Sequence, residues 1–179
     1  MKSIFRLPLV AALIGFGPWA GIGPANAQDG DDFARGQAEA ACQSSDLPAL
    51  FNAMALSDAV MRDFLAETVT MSLPDGHKDI PASDYEALPI GMIDYSYVTR
   101  ASLDAWEKDA SAELTYVQVE FNQSNDNRWR ADWTELTGPL LEGGEPEEQP
   151  QPTGRAGYLL FSPTQTCWEM TQDSIDVES

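Results

Sequence analysis

Apolar residues in the first third of the chain recur with the period of a helix. The clearest set has the spacing i, i+3, i+4, i+7 and consists of Leu47, Leu50, Phe51 and Met54. This spacing places the four side chains on one face of a short helix, for which Asp46 is a suitable N-cap. Ser57 predicts the cap of a second helix, and the Ala, Gln and Glu content of residues 33–44 favours a helix before both. A polar, mobile tail is expected over Gln28–Asp32.

The period changes at Thr68 from that of a helix to that of a strand. Val69, Met71 and Leu73 alternate with polar residues, which predicts a half-buried strand that ends at Pro74. The charged stretch Asp75–Leu88 is predicted to be a loop, and the Tyr, Ile and Val content of Ile90–Thr99 predicts a strand. Ser102–Asp109 is compatible with either a helical turn or a connection between strands.

Alternation is strongest on either side of Gln123–Asn127, a segment dense in turn-forming residues. Val117, Val119 and Phe121 alternate with polar residues before it, and Trp129, Ala131 and Trp133 do so after it. This pattern predicts a β-hairpin. A five-residue connection would pair Glu120 with Arg130, whereas three residues would pair Glu120 with Asp132, so we expect five.

The last quarter of the chain is less regular. Residues 138–154 are rich in Pro, Gly and Glu, which predicts an exposed, mobile, acidic loop within the domain. Tyr158–Phe161 and Thr166–Met170 predict two short strands or one bent strand. Asp173–Ser179 is expected to be an acidic tail.

Helices that precede mainly antiparallel strands indicate an α+β domain, with the N-terminal helices on one face of a twisted sheet. This order of elements is similar to the cone-shaped NTF2-like and cystatin-like layouts. The similarity is an analogy of fold, since no sequence motif of either family is present.

Residues 1–27 have the three parts of a bacterial signal peptide. Lys2 and Arg6 supply the positive start, an apolar stretch follows over Leu7–Ile22, and Ala25-Asn26-Ala27 forms a small-x-small cleavage site. Gly and Pro within the stretch disfavour a retained membrane anchor, and no cysteine follows the site for lipid attachment. The mature chain, residues 28–179, is therefore expected to be one exported domain without a membrane span, in the periplasm or outside the cell.

Cys42 and Cys167 are the two cysteines of the chain. An oxidising compartment allows a disulfide to persist, so we expect these residues to be joined in a structural bond. A redox or metal-binding thiol pair is the alternative, but CxxC spacing is absent and the chain has a single histidine. The bond would tie the first helix to the last strand.

Charge narrows the range of partners. The full chain carries a net charge of −19, and removal of Lys2 and Arg6 with the signal peptide leaves 8 basic against 29 acidic residues, or −21. Such a charge repels phosphate backbones and anionic lipid headgroups, which argues against nucleic acid and membrane surfaces as partners.

Candidate catalytic and metal-binding residues are few. His77 could act as a general base beside Asp75, but no nucleophile motif accompanies it. Two facing carboxylates of a glycosidase type are conceivable among so many acids. Asn122–Asn127 and Asp29–Asp32 supply oxygen atoms for calcium without the spacing of an EF-hand loop. We therefore predict no catalytic, cofactor-binding or metal-ligating residue and no cofactor.

Aromatic residues suggest either a core or a pocket. The set comprises Trp106, Trp129, Trp133, Trp168, Tyr95 and Tyr97. Strand alternation favours the core for Trp129 and Trp133, while a cavity between helices and sheet remains the alternative. The sequence thus favours an exported, acidic, non-catalytic protein that binds a small apolar ligand or a cell-envelope protein. The alternative is a secreted hydrolase that uses Asp or Glu, with or without His77.

Overall fold

A computed structural model of the protein describes residues 27–73, 76–140 and 149–177. Three helices open the described chain: α1 (Ala27–Ser44), α2 (Leu47–Leu56) and α3 (Asp58–Asp63). Both predicted caps are confirmed. The Asp46 carboxylate accepts a hydrogen bond from the Ala49 amide at 3.1 Å, and the Ser57 hydroxyl accepts one from the Val60 amide at 3.2 Å. Residues 1–26 of the predicted signal peptide lie outside the described residues.

The prediction of a mobile tail over Gln28–Asp32 is wrong, because these residues belong to α1. Two polar contacts fix this end of the helix. The Ser57 hydroxyl donates to the Asp31 carboxylate at 2.6 Å, and Arg35 pairs with Asp63 of α3. Acidic side chains are also favourable near the positive end of a helix. The acids that suggested a tail therefore help to begin the helix.

The described chain contains eight strands. They are β1 (Leu65–Leu73), β2 (Gly76–Pro81), β3 (Ile90–Ile93), β4 (Ser96–Thr99), β5 (Val117–Gln123), β6 (Trp129–Leu136), β7 (Pro152–Pro163) and β8 (Trp168–Val177). Six of them form one sheet in the order β2-β1-β8-β7-β6-β5, and β3 and β4 form a separate hairpin. Among the described strands of this sheet, β1 and β8 pair in parallel and all other neighbours pair antiparallel, so the sheet is mainly antiparallel.

Two predictions between residues 75 and 109 need correction. The expected loop Asp75–Leu88 contains β2, which pairs with β1. The single strand expected over Ile90–Thr99 is the β3–β4 hairpin, closed by Asp94 and Tyr95 with φ angles of +46° and +63°. Positive φ at both central residues is typical of a tight two-residue turn, which neither residue type signals strongly. The ambiguous segment that follows is a helix, α4 (Arg100–Lys108).

The β5–β6 hairpin is present, but its predicted register is wrong. Glu120 lies opposite Asp132, and the Ser124 amide donates to the Arg128 carbonyl at 2.8 Å, which leaves a three-residue loop. Asn127 has a φ of +63°, as a three-residue hairpin loop requires. The expected repulsion is relieved because Arg130 Nε donates to the Asp132 carboxylate at 2.6 Å.

The C-terminal strands are longer than predicted. β7 begins at Pro152, inside the predicted loop 138–154, and the Thr137 amide donates to the Gln151 carbonyl at 3.0 Å where the chain returns to the sheet. Residues 141–148 of that loop lie outside the described residues. The expected acidic tail over Asp173–Ser179 is wrong as far as Val177, because β8 continues to that residue and Asp173 is buried.

The hydrophobic core lies between the helices and one face of the sheet. Phe51 of α2 makes edge-to-face contacts with Phe121 of β5 and Phe161 of β7, at centroid distances of 5.4 and 6.3 Å. Cys42 of α1 is bonded to Cys167, just before β8, with the two Cα atoms 4.9 Å apart. The predicted α+β class, with N-terminal helices on one face of the sheet, is confirmed.

The inward phase of β1 is as predicted at Val69 and Met71 but not at the end of the strand. Val69 is buried and Met71 packs against the core, whereas Leu73 is 40% exposed. Leu73 is the last residue of β1 and pairs with Gly76, the first residue of β2. Ser72 alternates to the opposite face, where it is buried and its hydroxyl contacts His77 and Gln172.

Candidate functional site

The β3–β4 hairpin stands between two grooves. The hairpin–helix groove, of about 650 Å³, lies between the hairpin and helices α1 and α2. Its main lining residues are Phe33, Asn52, Leu56, Met92, Tyr95 and Tyr97. The strand-edge groove, of about 390 Å³, lies on the side of β5. Its main lining residues are Tyr95, Tyr97, Tyr116, Val117, Val119 and Leu136.

Apolar side chains line the hairpin–helix groove and are open to solvent. Phe33 is 63% exposed, Leu56 43% and Tyr95 99%. They come from α1, α2 and the tip of the hairpin, so three separate elements present them to one groove. Isolated exposed apolar residues are ordinary in proteins, but a convergent set around a concavity is typical of a binding surface.

The turn at Asp94 and Tyr95 determines how the hairpin meets both grooves. Because the two residues form the whole connection between β3 and β4, Tyr95 lies at the tip and Tyr97 lies on the strand that leaves it. The ring of Tyr97 makes an edge-to-face contact with the buried ring of Phe51, at a centroid distance of 5.6 Å. Tyr97 is thus a fixed wall shared by the two grooves, whereas Tyr95 has almost no covering neighbours.

A polar pair completes the hairpin–helix groove. The Tyr97 hydroxyl donates a hydrogen bond to Oδ1 of Asn52. Burial raises the pKa of Tyr97 to about 12, so the hydroxyl stays neutral and remains a donor at physiological pH. The Asn52 amide has two further N–H donors, and within the described chain neither has a partner. The groove therefore offers an unused hydrogen-bond donor among apolar walls.

Carboxylates are scarce in both grooves. Of the described residues that line them, Asp94 is the one acid. Catalysis by two carboxylates requires a facing pair across a cleft. The described residues that line the two grooves do not supply such a pair.

His77 lies on β2 and is exposed, away from both grooves. Its Nδ1 atom is 2.8 Å from the hydroxyl oxygen of Ser72 on β1. Gln172 of β8 donates one hydrogen bond to that oxygen at 2.8 Å and another to the Tyr158 hydroxyl at 3.0 Å. Since Ser72 accepts from Gln172, its own proton is available for Nδ1 of His77. Asp75, the acid considered beside His77, lies outside the described residues. The sequence pattern does not indicate Ser72 as a partner.

Tyr85 and Asp173 form a buried polar pair that sequence analysis missed. The Tyr85 hydroxyl donates to Oδ2 of Asp173 at 2.7 Å, and Oδ1 has no partner within the described chain. Burial raises the pKa of Asp173 to about 6, although the hydrogen bond from Tyr85 opposes this effect. Burial also raises the pKa of Tyr85. Neither residue lines one of the two grooves.

The two segments considered for calcium have structural roles. Asn122–Asn127 contains the end of β5 and the hairpin loop, where Ser124 and Asp126 bond to each other. Asp29–Asp32 lies within α1. Among the described residues, no group of three or more His, Cys, Asp and Glu side chains is placed to hold a metal ion.

The aromatic set divides between core and groove. Trp133 and Trp168 are buried, and Trp129 packs against the same core with partial exposure. Tyr95 and Tyr97 line the grooves instead. Core packing is therefore confirmed for Trp133 and, in part, for Trp129, whereas a ligand cavity for this set stays a prediction. Trp106 lies on α4 and is partly buried.

Comparison with known proteins adds little to the geometry. No protein family description and no curated protein matches the chain. A solved structure of ActVI-ORFA from Streptomyces coelicolor is 10% identical and covers 85% of this chain and 97% of its own, with a TM-score of 0.28. At that TM-score the likeness carries no argument. No helix in the described part of the chain is long and apolar enough to cross a membrane.

Proposed function

We propose that this protein is an exported binding protein whose hairpin–helix groove holds a small, uncharged, apolar molecule with one hydrogen-bond acceptor. The observation that carries the proposal is the convergence of exposed Phe33, Leu56 and Tyr95 around one groove. Burial of apolar side chains away from water is favourable, so an apolar molecule that covers these three side chains would gain binding free energy.

Groove size and chemistry define the ligand class. A volume of about 650 Å³ falls within the range of small-molecule sites, roughly 300–1,000 Å³. The unused amide donor of Asn52 selects for a carbonyl, ether or hydroxyl oxygen on the ligand. The apolar walls select for an aromatic or aliphatic body.

The charge of the protein supports an uncharged ligand. With a net charge of −19 for the chain, the surrounding field disfavours anions. Asp94 is the one charged residue among those that line the groove, and it lies at the exposed hairpin tip. A cationic ligand would therefore lack a buried carboxylate partner inside the groove.

Export forms the second part of the proposal. The signal-peptide pattern of residues 1–27 and the Cys42–Cys167 bond both suit an oxidising compartment, the bacterial periplasm or the exterior. Mass spectrometry of protein recovered from the periplasm or medium should show a chain that starts at Gln28. A chain that retains Met1 and is recovered from the cytoplasm with free thiols would contradict export.

Binding can be tested with Nile red, an uncharged dye that carries a carbonyl and fluoresces in apolar surroundings. We expect saturable fluorescence, which the Leu56→Ala change weakens by about tenfold because roughly 1.4 kcal/mol of apolar contact is lost. Leu73→Ala is the matched control, since Leu73 is a comparably exposed leucine on β1 outside both grooves. Equal loss in the two variants, or no saturable binding, would refute the proposal.

The hydrogen-bonding part of the proposal needs its own variant. Asn52→Asp keeps an acceptor for the Tyr97 hydroxyl and removes the amide donor. Acetophenone and ethylbenzene have similar shapes but differ in the carbonyl oxygen, so each can be used to displace Nile red. The variant should lose affinity for acetophenone and retain affinity for ethylbenzene. Equal effects on both compounds would show that Asn52 donates no hydrogen bond to the ligand.

A further inference from the structure

The two edges of the six-stranded sheet are protected to different degrees. The β2 edge has six residues, ends at Pro81 and carries Lys78 and Asp79, all features that discourage pairing with another strand. The β5 edge has seven residues, contains neither Pro nor Lys, and pairs with β6 without a register shift. Proteins usually avoid a regular, open edge strand because its unpaired backbone groups can pair with another chain, unless such pairing is part of the function.

The direction of the β5 backbone groups follows from its hydrogen bonds to β6. The Ser124 amide bonds to the Arg128 carbonyl, and the Leu136 amide bonds to the Tyr116 carbonyl. These bonds lie at both ends of one unbroken register, so the even-numbered residues of β5 face β6. The backbone N–H and C=O groups of Val119, Phe121 and Gln123 therefore point away from the sheet.

Little of the described chain covers this edge. β4 approaches it through one bridge, Val98 to Tyr116, and a bond from the Thr99 amide to the Thr115 carbonyl at 2.9 Å. No further pairing between β4 and β5 follows, and the strand-edge groove of about 390 Å³ opens beside Val119. Outward backbone groups and apolar groove walls are thus adjacent.

We propose that the outer edge of β5 is a docking site for an extended, basic peptide segment of a partner protein, which adds to the sheet as a strand. Backbone hydrogen bonds at Val119 and Phe121 would supply affinity. If the segment pairs antiparallel with β5, its residue opposite Val119 projects from the same face of the sheet as the Val119 side chain. Apolar side chains on that face of the segment would enter the strand-edge groove. The alternate residues would project on the outer face, beside Glu120.

Charge favours a basic segment over a second copy of the chain. Two copies paired edge to edge would bring together molecules that each carry a net charge of −19. A Lys-rich segment gains from the same field, and Glu120 is an exposed carboxylate on the strand itself. Tyr95 and Tyr97 line both grooves, but this site differs from the small-molecule groove because it depends on β5 backbone groups and not on α1 or α2.

The test uses a fluorescein-labelled octapeptide of alternating Lys and Val, measured by fluorescence anisotropy. In the proposed pairing the Val nitrogens face β5 and the Lys nitrogens face away. N-methylation of the Val nitrogens should weaken binding by about tenfold or more through loss of several hydrogen bonds, whereas N-methylation of the Lys nitrogens should leave it within about twofold. Equal effects would mean attraction to an acidic surface only, and would overturn the proposal.

A protein variant provides an independent arm. Val119→Pro removes an outward N–H that β6 does not use, so proline is compatible with the remaining ladder. The variant should lose peptide binding while Val119→Thr retains it, and both should still bind Nile red, which keeps this result distinct from the test of the small-molecule groove. Unchanged peptide binding by Val119→Pro, or concentration-dependent self-association through the edge, would overturn the proposal.

Discussion

The Tyr85 hydroxyl donates a 2.7 Å hydrogen bond to Oδ2 of Asp173, and each residue is only 3% exposed. The bond joins the connection between β2 and β3 to the last strand of the sheet. A buried carboxylate with one satisfied oxygen is costly when it is ionised. The Tyr85–Asp173 pair, which holds the connection between β2 and β3 against β8, therefore makes the stability of the protein sensitive to pH.

Asp173→Asn should reduce this sensitivity. The folded protein raises the pKa of Asp173 to about 6, above the unfolded value of about 3.9, because burial disfavours the charged form. The folded state thus holds the proton more tightly, so stability falls as pH rises from about 4 to about 6, and the full cost at pH 7 is roughly 3 kcal/mol. Asparagine keeps an acceptor for Tyr85 without the charge.

Urea unfolding at pH 4 and pH 7 measures the effect. The loss of stability between these pH values should be smaller in Asp173→Asn than in the wild type. Glu120→Gln removes an exposed charge and serves as the control. An identical pH dependence in Asp173→Asn and the wild type would show that Asp173 does not titrate in this range.

Gly157→Ala should destabilise the protein by about 2–3 kcal/mol. A Cβ atom there would lie 2.2 Å from the Ser174 carbonyl oxygen and 2.6 Å from the Trp133 ring. Gly36→Ala is the matched control, since nothing lies within 4 Å of its Cβ position on α1, and alanine should stabilise that helix by about 0.5–1 kcal/mol. Thermal unfolding should give opposite signs for the two changes.

Removal of the disulfide by the double change Cys42→Ser and Cys167→Ser should cost about 4 kcal/mol. The bond closes a loop with a sequence separation of 125, and its main effect is to restrict the unfolded chain. Urea unfolding of the variant and of oxidised wild type gives the difference. If stability is unchanged, the two ends of the domain are held by packing alone.

Asn127→Ala should destabilise the β5–β6 hairpin by about 1 kcal/mol, while Asn127→Gly should be neutral or slightly stabilising. The residue has a φ of +63°, which glycine and asparagine adopt more readily than alanine. The two variants remove the same side-chain hydrogen bond with Gln123, so their difference reports on the backbone. Equal stabilities in chemical denaturation would contradict the three-residue loop.

Local sequence patterns predicted the elements whose signals are local. The caps at Asp46 and Ser57 and the two strands of the β5–β6 hairpin lie where periodicity placed them. The predicted hairpin register is wrong because it avoids placing Glu120 opposite Asp132. In the structure Arg130, on the same strand as Asp132, bonds to the Asp132 carboxylate and reduces the repulsion. A rule that considers only pairs of residues across strands does not include this neighbour.

Other features depend on contacts that no local pattern contains. The sequence places Asp173 in a tail because its partner, Tyr85, is 88 residues away. The candidate groove was missed for the same reason, since Phe33, Leu56 and Tyr95 belong to three separate elements. Tyr95 and Tyr97 were recognised as possible pocket residues, but the sequence did not show which other side chains meet them.

The most direct test of the proposed binding groove is a two-dimensional NMR titration of the oxidised protein with acetophenone, after backbone assignment. Saturable shifts concentrated at Phe33, Leu56, Met92 and Tyr95 are expected, with Leu73 unaffected. Shifts that cluster elsewhere, or that grow linearly without saturation, would contradict binding in this groove.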